Sequence, residues 1–189
     1  MNDAMIAETL FDSYAYWRVL ARLSTDAPRK EHVQEIARRA GLSAGMASRV
    51  LRMLESLGMV EKETSGNLHL YSLRQDFFTK EVRKLVFLAG LHDLRLVDKL
   101  LEQNEGIISI AMYGSRAKGD SMAGSDVDLL VIAGPSGRPD LAKLGKKTGL
   151  DFNIQLFTPG QFLKMKKDDG TFYNEVIRNH ILLHGSELP

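Results

Sequence analysis

The sequence contains no cysteine, a single tryptophan and only five prolines in 189 residues. Without cysteine, disulfide staples and thiolate metal sites are excluded, and the composition suits a reducing cytosol. No stretch approaches the ~20 apolar residues that a bilayer-spanning helix needs. The first residues, MNDAMIAETLFDSYAYW, carry early acids and no continuous apolar segment, so a signal peptide is not expected. A dominant charge is missing as well: 25 Lys and Arg against 24 Asp and Glu leave a formal net charge of +1. Whole-chain electrostatics therefore favours neither nucleic acid nor a membrane surface, and any basic patch must be local. The expected location is the cytoplasm, with no membrane partner.

What remains is ordinary globular material, 44% hydrophobic and 26% charged. The length suits one domain or two small ones, since domains cluster near ~100–150 residues. No internal repeat or low-complexity tract interrupts it. Two halves of different periodicity point to an α+β protein of two domains: 1–75, a helical linker over 76–104, and 105–189.

In the first half, LFDSYAYWRVLARL sets Leu10, Tyr14, Trp17 and Leu20/Ala21 on one helical face. EHVQEIARRAGL repeats an apolar stripe through Val33, Ile36, Ala37 and Ala40, and Gly41 suits a tight interhelical turn. Ser43 can N-cap a third helix with Met46, Val50, Met53 or Leu54 and Leu57 inward, ending at Gly58. MVEKETSGNLHLYSL then reads as two strands around Ser65-Gly66-Asn67. Helix, helix, turn, helix, hairpin is the order of a winged helix-turn-helix. The stretch EIARRAGLSAGMASRVLRMLESLGMVEKE also resembles the DNA-binding domains of prokaryotic winged-helix regulators.

Between Arg29 and Arg52 stand Arg29, Lys30, Arg38, Arg39, Arg49 and Arg52 against Glu31 and Glu35, a local excess of four positive charges. Ser43, Ser48, Arg49 and Arg52 are the candidates to face a DNA groove, Arg being suited to guanine edges. His69 is a candidate for the wing. The alternative is that these arginines solvate helix surfaces and the module binds protein, its own copy included; a homodimer would fit a regulator that reads two half-sites. FFTKEVRKLVFLAGLHDLRLVDKLLEQ reads as one or two linking helices, with a possible break at Gly90. His92 within it is assigned no chemistry.

After Asn104-Glu105-Gly106 the period changes. IISIAMY (107–113) and VDLLVIAG (127–134) read as buried strands, and Pro139 to Lys147 as a short helix. LDFNIQLF (150–157) alternates, with Leu150, Phe152, Ile154 and Leu156 on one face and Asp151, Asn153 and Gln155 on the other. Thr158-Pro159-Gly160 opens a helix, and FYNEVIRNHILLHG reads as the last one, with Tyr173, Ile177 and Ile181 packing. His180 and His184 would lie a helical turn apart, structural or exposed for want of a third ligand.

Asp126 and Asp128 are separated by one residue at a strand entrance, so they share a face. Carboxylates that close repel unless a cation lies between them, and hard oxygen ligands suit Mg²⁺. Gly114 permits close approach of the backbone to a phosphate, Ser115 can donate to one, and Arg116, Lys118 and Ser125 lie nearby. Alone, SDVD could be only a strand-entry loop. Gly114-Ser115, ten residues, then Asp126-Val127-Asp128 between two apolar strands is a far more specific constellation.

YGSRAKGDSMAGSDVDLLVI resembles the signature of the DNA polymerase β-like nucleotidyltransferases, in their minimal branch. The resemblance implies a small mixed sheet with helices. It implies transfer of a nucleoside monophosphate, usually AMP from ATP or another NTP, to a hydroxyl with two Mg²⁺ ions. Gly114 and Ser115 would then hold the triphosphate, and Asp126 and Asp128 the metal. A third carboxylate, as metal ligand and acceptor base, is implied on a later strand; Asp151 fits, with Asp140 and Asp120 as rivals. The acceptor stays open among a protein Tyr, Ser or Thr (a toxin partner, for an antitoxin-like role), an RNA 3′ end and a small hydroxyl compound. Also open is a DNA-binding regulator that senses nucleotide without turnover.

Overall fold

Hydrophobic periodicity in the first half builds a helical core closed by a small sheet. The structure, a computed structural model, describes residues 14–25, 29–66, 68–135 and 137–189. Helix α1 (Tyr14–Thr25) buries Ala15, Val19, Leu20 and Leu23, while Tyr14 is 73% exposed. The inward face is thus rotated from the one expected through Tyr14 and Trp17, because Ala15, Val19 and Leu23 supply a longer stripe at the same spacing. Leu10 lies outside the described residues. A two-residue strand, β1 (Glu31–His32), leads into α2 (Val33–Ala40), which buries Ile36, Ala37 and Ala40 as expected. Gly41 ends α2 at φ 62, with the Arg18 guanidinium filling the space a Cβ would need. Ser43 Oγ then accepts from Met46 N at 3.2 Å and caps α3 (Ala44–Ser56).

Helix α3 turns Ala47, Val50, Leu51 and Leu54 inward, and leaves Met46 and Met53 exposed. That corrects the expectation of a buried Met46, whose place Ala47 takes, and of the alternatives Met53 and Leu54 it is Leu54 that faces inward. Strands β2 (Val60–Ser65) and β3 (Leu68–Leu73) pair antiparallel, and β1 adds to β3, giving the order β1-β3-β2. The third strand went unread because two residues carry no period. Glu31 on β1 is buried and bonded to Arg22 of α1, tying the small sheet to the first helix.

Chain contacts divide the protein into two compact units, Met1–Val86 and Phe87–Pro189. The division falls within α4 (Phe77–Asp93), where Phe78, Val82 and Val86 join the first core and Phe87, Leu88 and Leu91 the second. The helix runs unbroken through Gly90. The break comes at Arg95, at φ 52, before α5 (Leu96–Leu101).

The second unit is a mixed four-stranded sheet, order β6-β5-β4-β7. Strand β4 (Ile107–Tyr113) lies antiparallel to β5 (Val127–Ala133), and β5 parallel to β6 (Phe152–Phe157). One face, with Val127, Leu129, Val131 and Ile154, packs against α4, α5 and α7 (Ala142–Thr148). The other, with Tyr113, Leu130 and Ile132, packs against Phe162 of α8 (Pro159–Asp168) and Tyr173 and Val176 of α9 (Gly170–Arg178). Thr158 and Gln161 form a full capping box at the start of α8.

The last expected helix is divided. After α9, residues Ile181–Gly185 form β7, an edge strand antiparallel to β4. Asn179 and His180 break the helix, and ILLH, with no polar side to its run, completes the sheet instead. His180 and His184 therefore do not share a helix: His180 bonds the Val176 carbonyl at 3.0 Å, and His184 pairs with Ile110.

Phe162 is fully buried between the sheet and α9, whereas its neighbour Leu163 is 49% exposed. Phe162→Ala is expected to destabilise the second unit by ~3–5 kcal/mol, and Leu163→Ala by about 0.5 kcal/mol or less. Urea unfolding of the full chain, followed by far-UV circular dichroism, checks the contrast.

Candidate functional site

The site grows from the C-terminal end of β4 and the N-terminal ends of β5 and β6. Tyr113 ends β4 and the chain turns at Gly114, φ 74, into the short helix α6 (Gly114–Lys118). Tyr113 pairs with Asp128 on β5, and Asp128 pairs with Asn153 on β6. Three side chains from three strands thus form one row. Val127 is fully buried toward the opposite face, so Asp126 and Asp128 flank it on the open side. Asp126 is exposed and Asp128 half-buried.

The two oxygens of Asp128 have different neighbours. Oδ1 accepts from Asn153 Nδ2 at 3.0 Å. Oδ2 lies so close to Gly114 that a Cβ there would stand 2.4 Å from it. Glycine at 114 meets two demands: a left-handed turn and a carboxylate seated on its Cα. Burial pushes the Tyr113 phenol up to about 12, helped by the Asp128 and Glu175 carboxylates, so it stays neutral. Its ring meets Phe172 edge-on at 5.6 Å.

Asp151 stands just before β6, exposed, and its carbonyl accepts from Val127 N at 2.7 Å. Extending the register outward sets it level with Asp126, one strand over. Of the rivals, Asp140 accepts from Ala142 N at the start of α7 and lines one cavity with Asp151, and Asp120 follows α6, its N–H donating to the Ser115 carbonyl at 3.0 Å. Among the described residues, no group of three or more His, Cys, Asp or Glu is arranged to hold a metal ion. Asp126 and Asp128 fit a hard divalent cation through their oxygen donors and shared face, with open positions for phosphate oxygens.

The cationic side chains near the turn have separate tasks. Arg116 Nη2 donates to the Ser125 carbonyl at 2.6 Å, and its guanidinium lies 4.2 Å from the Phe87 ring centroid. Ser125 Oγ accepts from Met122 N at 2.9 Å. Together they close the loop that delivers Asp126. Lys118 Nζ donates to Glu175 of α9 at 2.6 Å, with both side chains partly exposed. An anionic phosphate entering by Gly114 and Ser115 would compete with Glu175 for that ammonium. Sequence reading missed Asn153 and Glu175 as site residues, although the alternation of LDFNIQLF put Asn153 on the polar face.

In the first unit, carboxylates absorb most of the local positive charge. Arg38 and Arg39 pair with Glu35, whose carboxyl falls to about 2 through those two hydrogen bonds, Arg38 first. Lys30 pairs with Glu63, and Arg29 lies 3.8 Å from Glu31. Arg49 and Arg52 stay exposed on α3 beside Met46 and Met53, and neither forms an ion pair among the described residues. Ser48 is half-buried on the same helix, Ser43 is exposed at its cap, and His69 bonds Thr64 across the hairpin.

Comparison with known proteins agrees with this division. Residues 96–187 match the family described as polymerase beta, nucleotidyltransferase. Residues 18–64 match the IclR helix-turn-helix domain. No curated protein matches the chain. Among solved structures it is similar to the homodimeric winged helix-turn-helix DNA-binding domain of a possible ArsR-family regulator from Mycobacterium bovis. That match has 22% identity and a TM-score of 0.38, covering 50% of this chain and 81% of that one. It is also similar to the adhesin competence repressor of Streptococcus pyogenes (14% identity, TM-score 0.40, 52% and 72% covered). A toxin–antitoxin with AMP-PNP matches at 18% identity and TM-score 0.36, with 51% and 76% covered. The two family models therefore divide the chain between an N-terminal region matching a helix-turn-helix domain and a C-terminal region matching a polymerase beta nucleotidyltransferase domain. Among the described residues no helix is long and apolar enough to cross a membrane.

Gly114→Ala is expected to cost ~1–2 kcal/mol for the left-handed backbone and to push the Asp128 carboxylate off its seat. Thermal unfolding of the full chain checks the cost to stability.

Proposed function

We propose that the C-terminal unit binds a nucleoside triphosphate, most simply ATP, and transfers its nucleoside monophosphate to a hydroxyl acceptor. The observation that carries the reading is the seating of Asp128 on Gly114, with Asp126 beside it on the same open face. A phosphate-holding turn and a carboxylate pair thereby share one mouth. Gly114 and Ser115 present backbone and hydroxyl to the phosphates, and Lys118, released from Glu175, adds a positive charge. Asp126 and Asp128 would hold Mg²⁺, which when bound neutralises the phosphates and polarises the reacting phosphoryl group. Asp151, level with Asp126, would take the acceptor's proton as that oxygen attacks the α-phosphorus and pyrophosphate departs. Arg116 and Ser125 act on the loop that carries Asp126. Of the open acceptor classes, a protein hydroxyl is the one we would test first.

Arg49 and Arg52 support a second element: the helix-turn-helix places the transferase on DNA through the exposed face of α3. Their charge is not spent on carboxylates, unlike that of Arg38 and Arg39. A dimer would present two such helices to half-sites about 34 Å apart. If nucleotide binding modulated this contact without any turnover, the protein would be a nucleotide-sensing regulator.

Asp126→Asn is expected to lower transfer of label from α-labelled ATP into a cell lysate by ~100-fold or more; unchanged transfer would sink the enzymatic reading. Arg49→Ala and Arg52→Ala should each weaken binding to the DNA upstream of the protein's own gene, by ~1–3 kcal/mol where a guanine edge is read. Absence of binding by the wild type even at low ionic strength would leave a partner protein as the target.

A further inference from the structure

We propose that Asn153 is a positioning residue for Asp128: its neutral amide aims the carboxylate at Gly114 and withholds a further negative charge from the cation site. The inference rests on the nucleotide-site reading above. Asp128 is the middle member of the row Tyr113, Asp128, Asn153, set by the pairing of β5 with both neighbours. Oδ1 accepts from Asn153 Nδ2 at 3.0 Å, and Oδ2 occupies the space a Cβ at Gly114 would need, so the amide's hydrogen bond directs the other oxygen to the turn. Only the NH₂ end of the amide can face a carboxylate, so the contact also fixes which way Asn153 points.

Charge explains why an amide suits this place. A carboxylate at 153 would stand at hydrogen-bond distance from Asp128, and two such anions repel unless a cation or a shared proton lies between them. Asn153 removes that repulsion and donates instead, so Asp128 is aimed before any cation arrives. The same choice costs affinity for the cation, because the donor set lacks an anion beside Asp128. Asp151 does not replace it: two residues earlier on the same face, it is level with Asp126.

The test uses the full chain and Mn²⁺ alone, with free Mn²⁺ read by electron paramagnetic resonance. Asn153→Ala is expected to weaken Mn²⁺ binding by ~10-fold or more, as loss of partners that orient metal-ligating carboxylates does. Asn153→Asp is expected to tighten it, the opposite sign, which a merely structural role would not produce. In an Asp128→Asn background the loss caused by Asn153→Ala should vanish, since it acts through that carboxylate. Equal affinity in wild type and both variants, or weakening in both, overturns the proposal while the nucleotide-site reading stands. Failure of the wild type to bind Mn²⁺ with or without ATP sinks both. Should Asn153→Ala fail to fold by circular dichroism, the comparison of wild type with Asn153→Asp decides.

Discussion

Everything at the site depends on the register of β5 between two neighbours of opposite sense. Antiparallel pairing with β4 sets Tyr113, and hence the turn at Gly114, opposite Asp128. Parallel pairing with β6 sets Asn153 on its other side. A slip of one residue in either ladder would turn Asp128 into the core and Val127 out to solvent. The register is secured by what lies behind it, because Val127, Leu129 and Val131 are fully buried against the helices of the opposite face. The chemistry-bearing row is therefore held by apolar burial one residue out of phase with it.

The two faces of that sheet divide the labour. One is occupied by α4, α5 and α7 and carries no site residue. The other accommodates α8 and α9 over Leu130 and Ile132 but leaves the strand ends uncovered, and there the polar residues collect. Glu175 reaches Lys118 from α9, so the helix that completes the core also reaches the mouth of the site. In the first unit a comparable economy holds on α3. Its inward face is made of small and branched residues, and its outward face keeps two arginines that form no ion pair among the described residues.

Much of this was legible in the residues. Ser43, Gly41 and the Ser65-Gly66 turn mark element boundaries by local chemistry, and the structure puts caps and turns there. The alternation of LDFNIQLF separated its two faces correctly. Other features were not legible. Met46 and Met53 share the helical spacing of the buried residues, and only the packing of the neighbouring helices selects Ala47 and Leu54 instead. ILLHG has no polar alternation, so nothing local separates a final helix from an edge strand; the open side of β4 decides it.

By itself the sequence determined the two-part organisation, the turn at Gly114-Ser115 and the common face of Asp126 and Asp128, because spacing along one strand or turn is a local property. It left Asp151, Asp140 and Asp120 open as a third carboxylate and gave Asn153 no role. Which of them stands beside which carboxylate is a matter of strand register, and register is fixed by burial across the whole sheet. Only the tertiary structure could set Asn153 against Asp128, commit Lys118 to Glu175, and distinguish Arg49 and Arg52 from arginines already paired.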